Sequence, residues 1–279
     1  MKTFVTMMLF FFSLTAINTQ AEVQLKFGIY TSDKPTTMVK MFRPLLNVFE
    51  QELTKKLGEP VFISLQVANN YDQGINDLVS GKVDFARMGP ASYITSKQRN
   101  NDLQLLSMES KKGKKVFYGI ICVREQSPIT QVSQLKGHSF AFGNKRSTIG
   151  RYLSQHLLSQ QGVYARDLSR FEYLGRHDRV GAAVGAGQFD AGALKEGSFK
   201  KLVAKGVKIR ELTRFPNVTK PWIANSNMDQ RLFSTLKGIM LELTDKEALK
   251  GLKKQGFLEA ADSDYNIIRD SMQKNSIFF

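Results

Sequence analysis

The stretch Gly143 to Gln155 reads GNKRSTIGRYLSQ and follows a short apolar run, HSFAF. Lys145, Arg146, Ser147 and Thr148 crowd into the few residues before an amphipathic pattern begins. A helix entrance carries unpaired backbone N–H groups and the positive end of the macrodipole, so hydroxyls and cations gathered there point to anion binding. Ser147 equally fits a plain helix cap, worth about 1 kcal/mol to the fold. His177 and Asp178, in GRHDR, follow another strand end and open the small-residue run VGAAVGAG. Tyr71 in NNYDQ and Tyr93 in GPASY stand in the same relation to two earlier strands. A phenol offers a hydroxyl and a flat apolar face to a small polar ligand, or simply packs. All six candidates fall at strand-to-helix turns, where α/β sheets place their ligands.

Other chemistries fit less well. A hydrolase would use Ser147 as nucleophile, His177 as base and Asp178 as the orienting acid. Adjacent residues rarely supply base and acid in one triad, and no GxSxG elbow is present. The three histidines, His138, His156 and His177, lack ligand spacing with each other or with Cys122, so neither a metal nor a cofactor is expected. Cys122 lies inside VFYGIICV and reads as a core thiol.

The elements that must position these residues alternate between strand and helix, which predicts α/β architecture. LKFGIY (25–30), VFISLQVA (61–68), VDFARMG (83–89) and LQLLSME (103–109) read as strands. Phe42, Leu45, Leu46, Phe49, Leu53 and Leu57 recur at helical spacing between the first two. Helices are predicted over 71–80, from Pro90, over 147–161 and over 177–186. The run 115–125 is long for one strand, which places a first crossover near Tyr118 to Ile121. Strands follow at 138–142, 171–175, 189–194 and 208–212. A second crossover is expected between Thr213 and Trp222, where Pro216 and Pro221 interrupt regular structure. The remainder reads as mainly helical, with 232–243 the clearest period. This divides the chain into residues 1–21, a first lobe over 22–119, a second over 120–213 and a return to the first over 214–279.

The 279 residues carry 40 Lys and Arg against 25 Asp and Glu, a formal charge of +15. Such a balance draws anions to the surface. Residues 1–21 combine Lys2, an apolar block and small residues ending at Ala21, the pattern of a cleavable secretory signal. Export argues against nucleic acid, and the basic runs KKGKK and LKGLKK lack the interleaved aromatics that stack bases. With no cysteine near the leader to take a lipid, the expected location is a Gram-negative periplasm.

In order along the chain, FRPLLNVFEQELTKKLG, NNYDQGINDLVSGKVDFARMGPASYI, LKGHSFAFGNKRSTIG, GRHDRVGAAVGAGQFDAGAL, FPNVTKPW and DYNIIR resemble segments of the phosphonate-binding family. These are the periplasmic solute-binding proteins of phosphate, phosphite and phosphonate ABC importers. The resemblance implies an α/β fold of two lobes, the type II periplasmic binding protein fold, with two crossovers and a hinged cleft between the lobes. It implies that Tyr71, Tyr93, Ser147, Thr148 and His177 surround the phosphoryl oxygens, with Asp178 beside them. Two positions depart from the family pattern. Ile149 stands where a second serine is usual, and Lys220 where the hinge often carries an acid, leaving Glu196 as another acceptor. The implied protein is a monomeric, non-enzymatic binder of a small anion that presents its closed form to a membrane permease. The alternative partner is a membrane sensor such as a histidine kinase or cyclase.

Overall fold

The computed structural model describes residues 22–30 and 35–279; the leader read over residues 1–21 lies outside them. The chain begins β1 (Val23–Tyr30), α1 (Pro35–Leu57), β2 (Val61–Ala68), α2 (Tyr71–Val79), β3 (Phe85–Arg87), α3 (Pro90–Arg99) and β4 (Gln104–Ser110). It continues through β5 (Val116–Arg124) and β6 (Ser139–Phe142) to a π-helical turn, Thr148–Leu153, that runs into α4 (Ser154–Gln160). Then come β7 (Arg170–Tyr173), α5 (His177–Gly185), β8 (Ala191–Lys195), α6 (Glu196–Val203) and β9 (Ile209–Val218). β10 (Pro221–Ala224), α7 (Gln230–Glu242), α8 (Lys246–Lys250), β11 (Gly256–Leu258) and α9 (Asn266–Gln273) complete it.

The strands form two sheets, one ordered β11-β4-β10-β3-β1-β2 and the other β7-β6-β8-β5-β9. In the first, β1 runs parallel to β2 and β3, while β10 and β11 pair antiparallel. In the second, β6 runs parallel to β7 and β8, while β5 pairs antiparallel with β8 and β9. The apolar stripe of α1 covers the first sheet: Phe42, Leu45, Leu46, Phe49 and Leu53 are fully buried, in one cluster with Phe27 and Trp222. Trp222 stacks on Phe27 with ring centroids 4.7 Å apart. Such a stripe removes its apolar area from water at about 25 cal/mol per Å², which is what holds the helix to the sheet.

The second sheet buries Phe140, Phe142 and Cys122, whose thiol is pushed up to about 12 by desolvation. The last residues of the chain reach this sheet. Phe278 packs edge-on against Phe142, and Asn275 Nδ2 donates to Gln155 Oε1 at 2.7 Å.

The first crossing between the sheets lies earlier than the sequence pattern placed it, and the second lies within the stretch 213–222 that the pattern gave. β5 pairs along its whole length inside the second sheet, so the first crossing is the turn between Ser110 and Val116. β9 likewise continues through Pro216, which sits opposite Tyr118, as far as Val218. Proline is tolerated there because β9 is an edge strand, and Pro221 because it opens β10. The second crossing is therefore confined to Thr219 and Lys220. The remainder after it contains β10 and β11 as well as helices.

Candidate anion site between the sheets

Helix entrances from both sheets meet in one cleft. The residues around it include Tyr30, Tyr71, Gly89, Pro90, Phe117, Ser147, Thr148, Ile149, His177, Lys195, Asn217 and Lys220. Tyr71 is the first residue of α2, Gly89 and Pro90 open α3, Ser147 and Thr148 open the π-helical turn, His177 opens α5, and Lys195 precedes α6. Each follows the carboxyl end of a strand. Five positive helix ends thus face a common space of about 30 Å³.

At the centre, the Gly150 N–H donates to Ser147 Oγ at 2.9 Å. Ser147 therefore caps the turn, and because its oxygen is the acceptor, its hydroxyl proton is left to be given to an anion. Thr148 Oγ1 accepts the Ala91 N–H at 2.9 Å, which ties the π-helical turn to the first turn of α3 across the cleft. Both hydroxyl residues are buried. The local chain path depends on two glycines. A Cβ on Gly150 would stand 2.7 Å from Gly143 Cα, and the Gly143 N–H donates to Gly150 O at 2.8 Å. The turn then widens to π geometry, with the Tyr152 N–H reaching Ser147 O at 3.3 Å.

Tyr30, the last residue of β1, was absent from the sequence-derived set. Its hydroxyl accepts the Gly89 N–H at 2.6 Å and lies 3.0 Å from Ser92 Oγ, and its ring stacks on Tyr71 with centroids 4.1 Å apart. Burial raises its pKa, so the phenol stays protonated. The rule that parallel strand ends carry ligand contacts would have found it. Asn217 also escaped notice: it is buried, lines the cleft, and its Oδ1 has no hydrogen-bond partner among the described residues. Lys195 is the third addition, lining the cleft along with Lys220.

Tyr71, Ser147, Thr148 and His177 are brought together in the cleft. Tyr93 and Asp178 are not among the residues described around it. The Tyr93 hydroxyl donates to Asp262 Oδ1 at 2.7 Å and its ring packs on Tyr265; burial and that carboxylate raise its pKa. The Asp178 carboxylate takes hydrogen bonds from Arg176 Nε at 3.0 Å and Nη2 at 2.6 Å, which lower its pKa. Ile149 is buried and, with Phe117, gives the cleft an apolar side.

Two α/β units, two crossings and a cleft ringed by helix entrances define a type II periplasmic binding protein. The chain belongs to the phosphonate-binding family of ABC transporter periplasmic substrate-binding proteins, whose family model matches residues 27–265. A probable ABC transporter phosphite-binding protein, PhnD1, of Prochlorococcus marinus is 24% identical over 90% of this chain and 89% of its own length. The crystal structure of PhnD1 from that organism with methylphosphonate has a TM-score of 0.78 and 22% identity, covering 91% of this chain and 98% of that one. A Xanthomonas citri protein bound to ATP has a TM-score of 0.75 and 22% identity, covering 91% and 98%. The family consists of periplasmic substrate-binding components that serve a membrane permease. Among the described residues no helix is long and apolar enough to cross a membrane.

Proposed function

We propose that the protein captures a small phosphorus oxyanion with one apolar substituent, of the methylphosphonate kind, and releases it unchanged to its permease. The observation that carries this reading is the convergence of five helix entrances on one cleft. Backbone N–H groups, the Ser147 and Thr148 hydroxyls, the Tyr71 phenol, His177 and the ammonium groups of Lys195 and Lys220 supply the charge-assisted bonds a tetrahedral anion needs. Ile149 and Phe117 suit a substituent that accepts no hydrogen bonds. The ligands named for two related proteins, methylphosphonate and ATP, share a phosphorus oxyanion group, which supports the choice.

The Ala91 N–H now given to Thr148 is one that an anion oxygen would take. A space of 30 Å³ holds about two waters, less than such an anion requires, so the anion enters while the lobes are apart and takes the place of that bond when they close on it. Capture without turnover accords with Asp178 being held by Arg176 through both oxygens rather than serving a triad.

Calorimetry with methylphosphonate tests the site. The Ser147→Ala and Thr148→Ala double variant is expected to bind at least tenfold more weakly, about 1.4 kcal/mol. Unchanged affinity would reject the cleft as the site.

A further inference from the structure

Beside the small cleft lies a second space of about 490 Å³, and Phe117, Lys195 and Lys220 line both. Its walls come from both halves of the molecule: Met38 and Met41 of α1, Arg87 at the end of β3, Glu109 of β4, the start of α6, and the turn that follows α8. The charge is strongly one-sided. Lys111, Lys200, Lys201 and Lys253 line it in addition to the two shared lysines. Of the two acidic residues there, Glu109 is buried and already bound to Arg87 at 2.7 Å, with Lys254 at 3.7 Å, and Glu196 pairs with Lys200 at 2.7 Å. Lys111, Lys201 and Lys253 form no ion pair among the described residues, and all three are exposed. A concave, two-walled space with this excess of cations focuses a positive potential on whatever projects from the cleft.

We infer that the natural ligand is bipartite: a phosphonate or phosphate group in the cleft, joined past Phe117 to a second anionic group that the lysine-lined chamber receives. The inference rests on the phosphorus-oxyanion reading above and extends it, the substituent past Phe117 ending in a second, separated anionic group. The recognition is of different kinds at the two ends. Directed N–H and O–H groups fix the first oxyanion, whereas flexible ammonium groups accept a second carboxylate or phosphate without fixed geometry. Met38, Met41 and Phe117 leave apolar surface for the linker between them.

The test is calorimetry at fixed ionic strength with methylphosphonate, 3-phosphonopropionate, tripolyphosphate and citrate, on the wild type and on a Lys111→Gln, Lys201→Gln, Lys253→Gln variant. Because those lysines are exposed, the variant keeps its fold, which its unfolding midpoint verifies. The wild type is expected to bind 3-phosphonopropionate or tripolyphosphate at least tenfold more tightly than methylphosphonate. The triple variant should lose that gain while holding methylphosphonate within threefold of wild type. Methylphosphonate bound with no gain for either longer anion would overturn the chamber and leave the cleft reading standing. Failure of every phosphorus compound to bind would overturn both. Citrate bound as tightly as the longer phosphorus anions, or their binding surviving Ser147→Ala with Thr148→Ala, would assign the lysines to a separate anionic partner such as an acidic protein loop and overturn the bipartite ligand.

Discussion

A side chain that binds in the cleft would trade stability against recognition, and Asn217 is the clearest candidate. Its Oδ1 is buried with no hydrogen-bond partner among the described residues, a situation that costs about 1–3 kcal/mol. An amide that rotates to offer its N–H₂ to an anion recovers that cost only when the ligand arrives. Asn217→Leu, which keeps the volume, is therefore expected to leave the thermal midpoint unchanged or higher while weakening methylphosphonate roughly tenfold, about 1.4 kcal/mol. A lower midpoint with intact affinity would make Asn217 a packing residue instead. Lys220 lines the cleft and is expected to set the preference between substituents. With Lys195 also in the wall, the ammonium of 2-aminoethylphosphonate would meet like charge where the family pattern often has an acid. That compound should stabilise the protein no more than methylphosphonate in a thermal-shift series; a clear preference for it would show that Glu196 or another acceptor reaches the amine.

Secondary-structure elements hold these groups by backbone geometry as much as by side chains. Ser147 and Thr148 reach the cleft because Gly143 and Gly150 pass each other with backbones in contact. Gly150→Ala places its methyl 2.7 Å from Gly143 Cα, where no flexible side chain can yield. Overpacking of this kind costs about 1–3 kcal/mol, and it displaces both hydroxyls together. The variant should unfold at a lower temperature and bind methylphosphonate more than tenfold less tightly; normal affinity would show that the turn relaxes without moving Ser147. The close approach was not legible in the sequence, although the turn itself was. The α1 stripe and the limits of β2 could be read from period and length alone, since each is long and strongly patterned. β10 and β11 escaped because they have four and three residues, too few to show a period, and a proline opens the former. Tyr71 and Tyr93 have the same local signature, a phenol at a helix entrance. Only the tertiary structure separates them, by bringing Asp262 from the far end of the chain to Tyr93. Lys195 ends β8 and stands at the N-cap position of α6, so the strand-end rule that finds Tyr30 finds it too, whereas Asn217 carries no local signal because its place in the cleft depends on how the two sheets face each other.

For the molecule as a whole the question is what keeps the two halves together. Across the cleft, Thr148 accepts from Ala91, and Arg146 Nε donates to Asp72 Oδ1 at 2.8 Å with both residues exposed. A single neutral hydrogen bond contributes about 0.5–1.5 kcal/mol net. An exposed ion pair adds about 0–1 kcal/mol and is screened by salt. These contacts favour closure only slightly, whereas a micromolar ligand gripped from both sides supplies about 8 kcal/mol. On the proposed reading the ligand would be the main term in an open-to-closed equilibrium, acting by binding the closed form more tightly than the open one. Small-angle scattering should show the radius of gyration falling when methylphosphonate is added to the wild type. Arg146→Ala should widen the ligand-free protein yet reach the same compact state with ligand, its affinity reduced by no more than about fivefold, since the pair is worth at most about 1 kcal/mol. Dimensions indifferent to ligand would mean a rigid cleft. A loss of a hundredfold in Arg146→Ala would move Arg146 from the rim, where it holds Asp72, into the group that touches the anion.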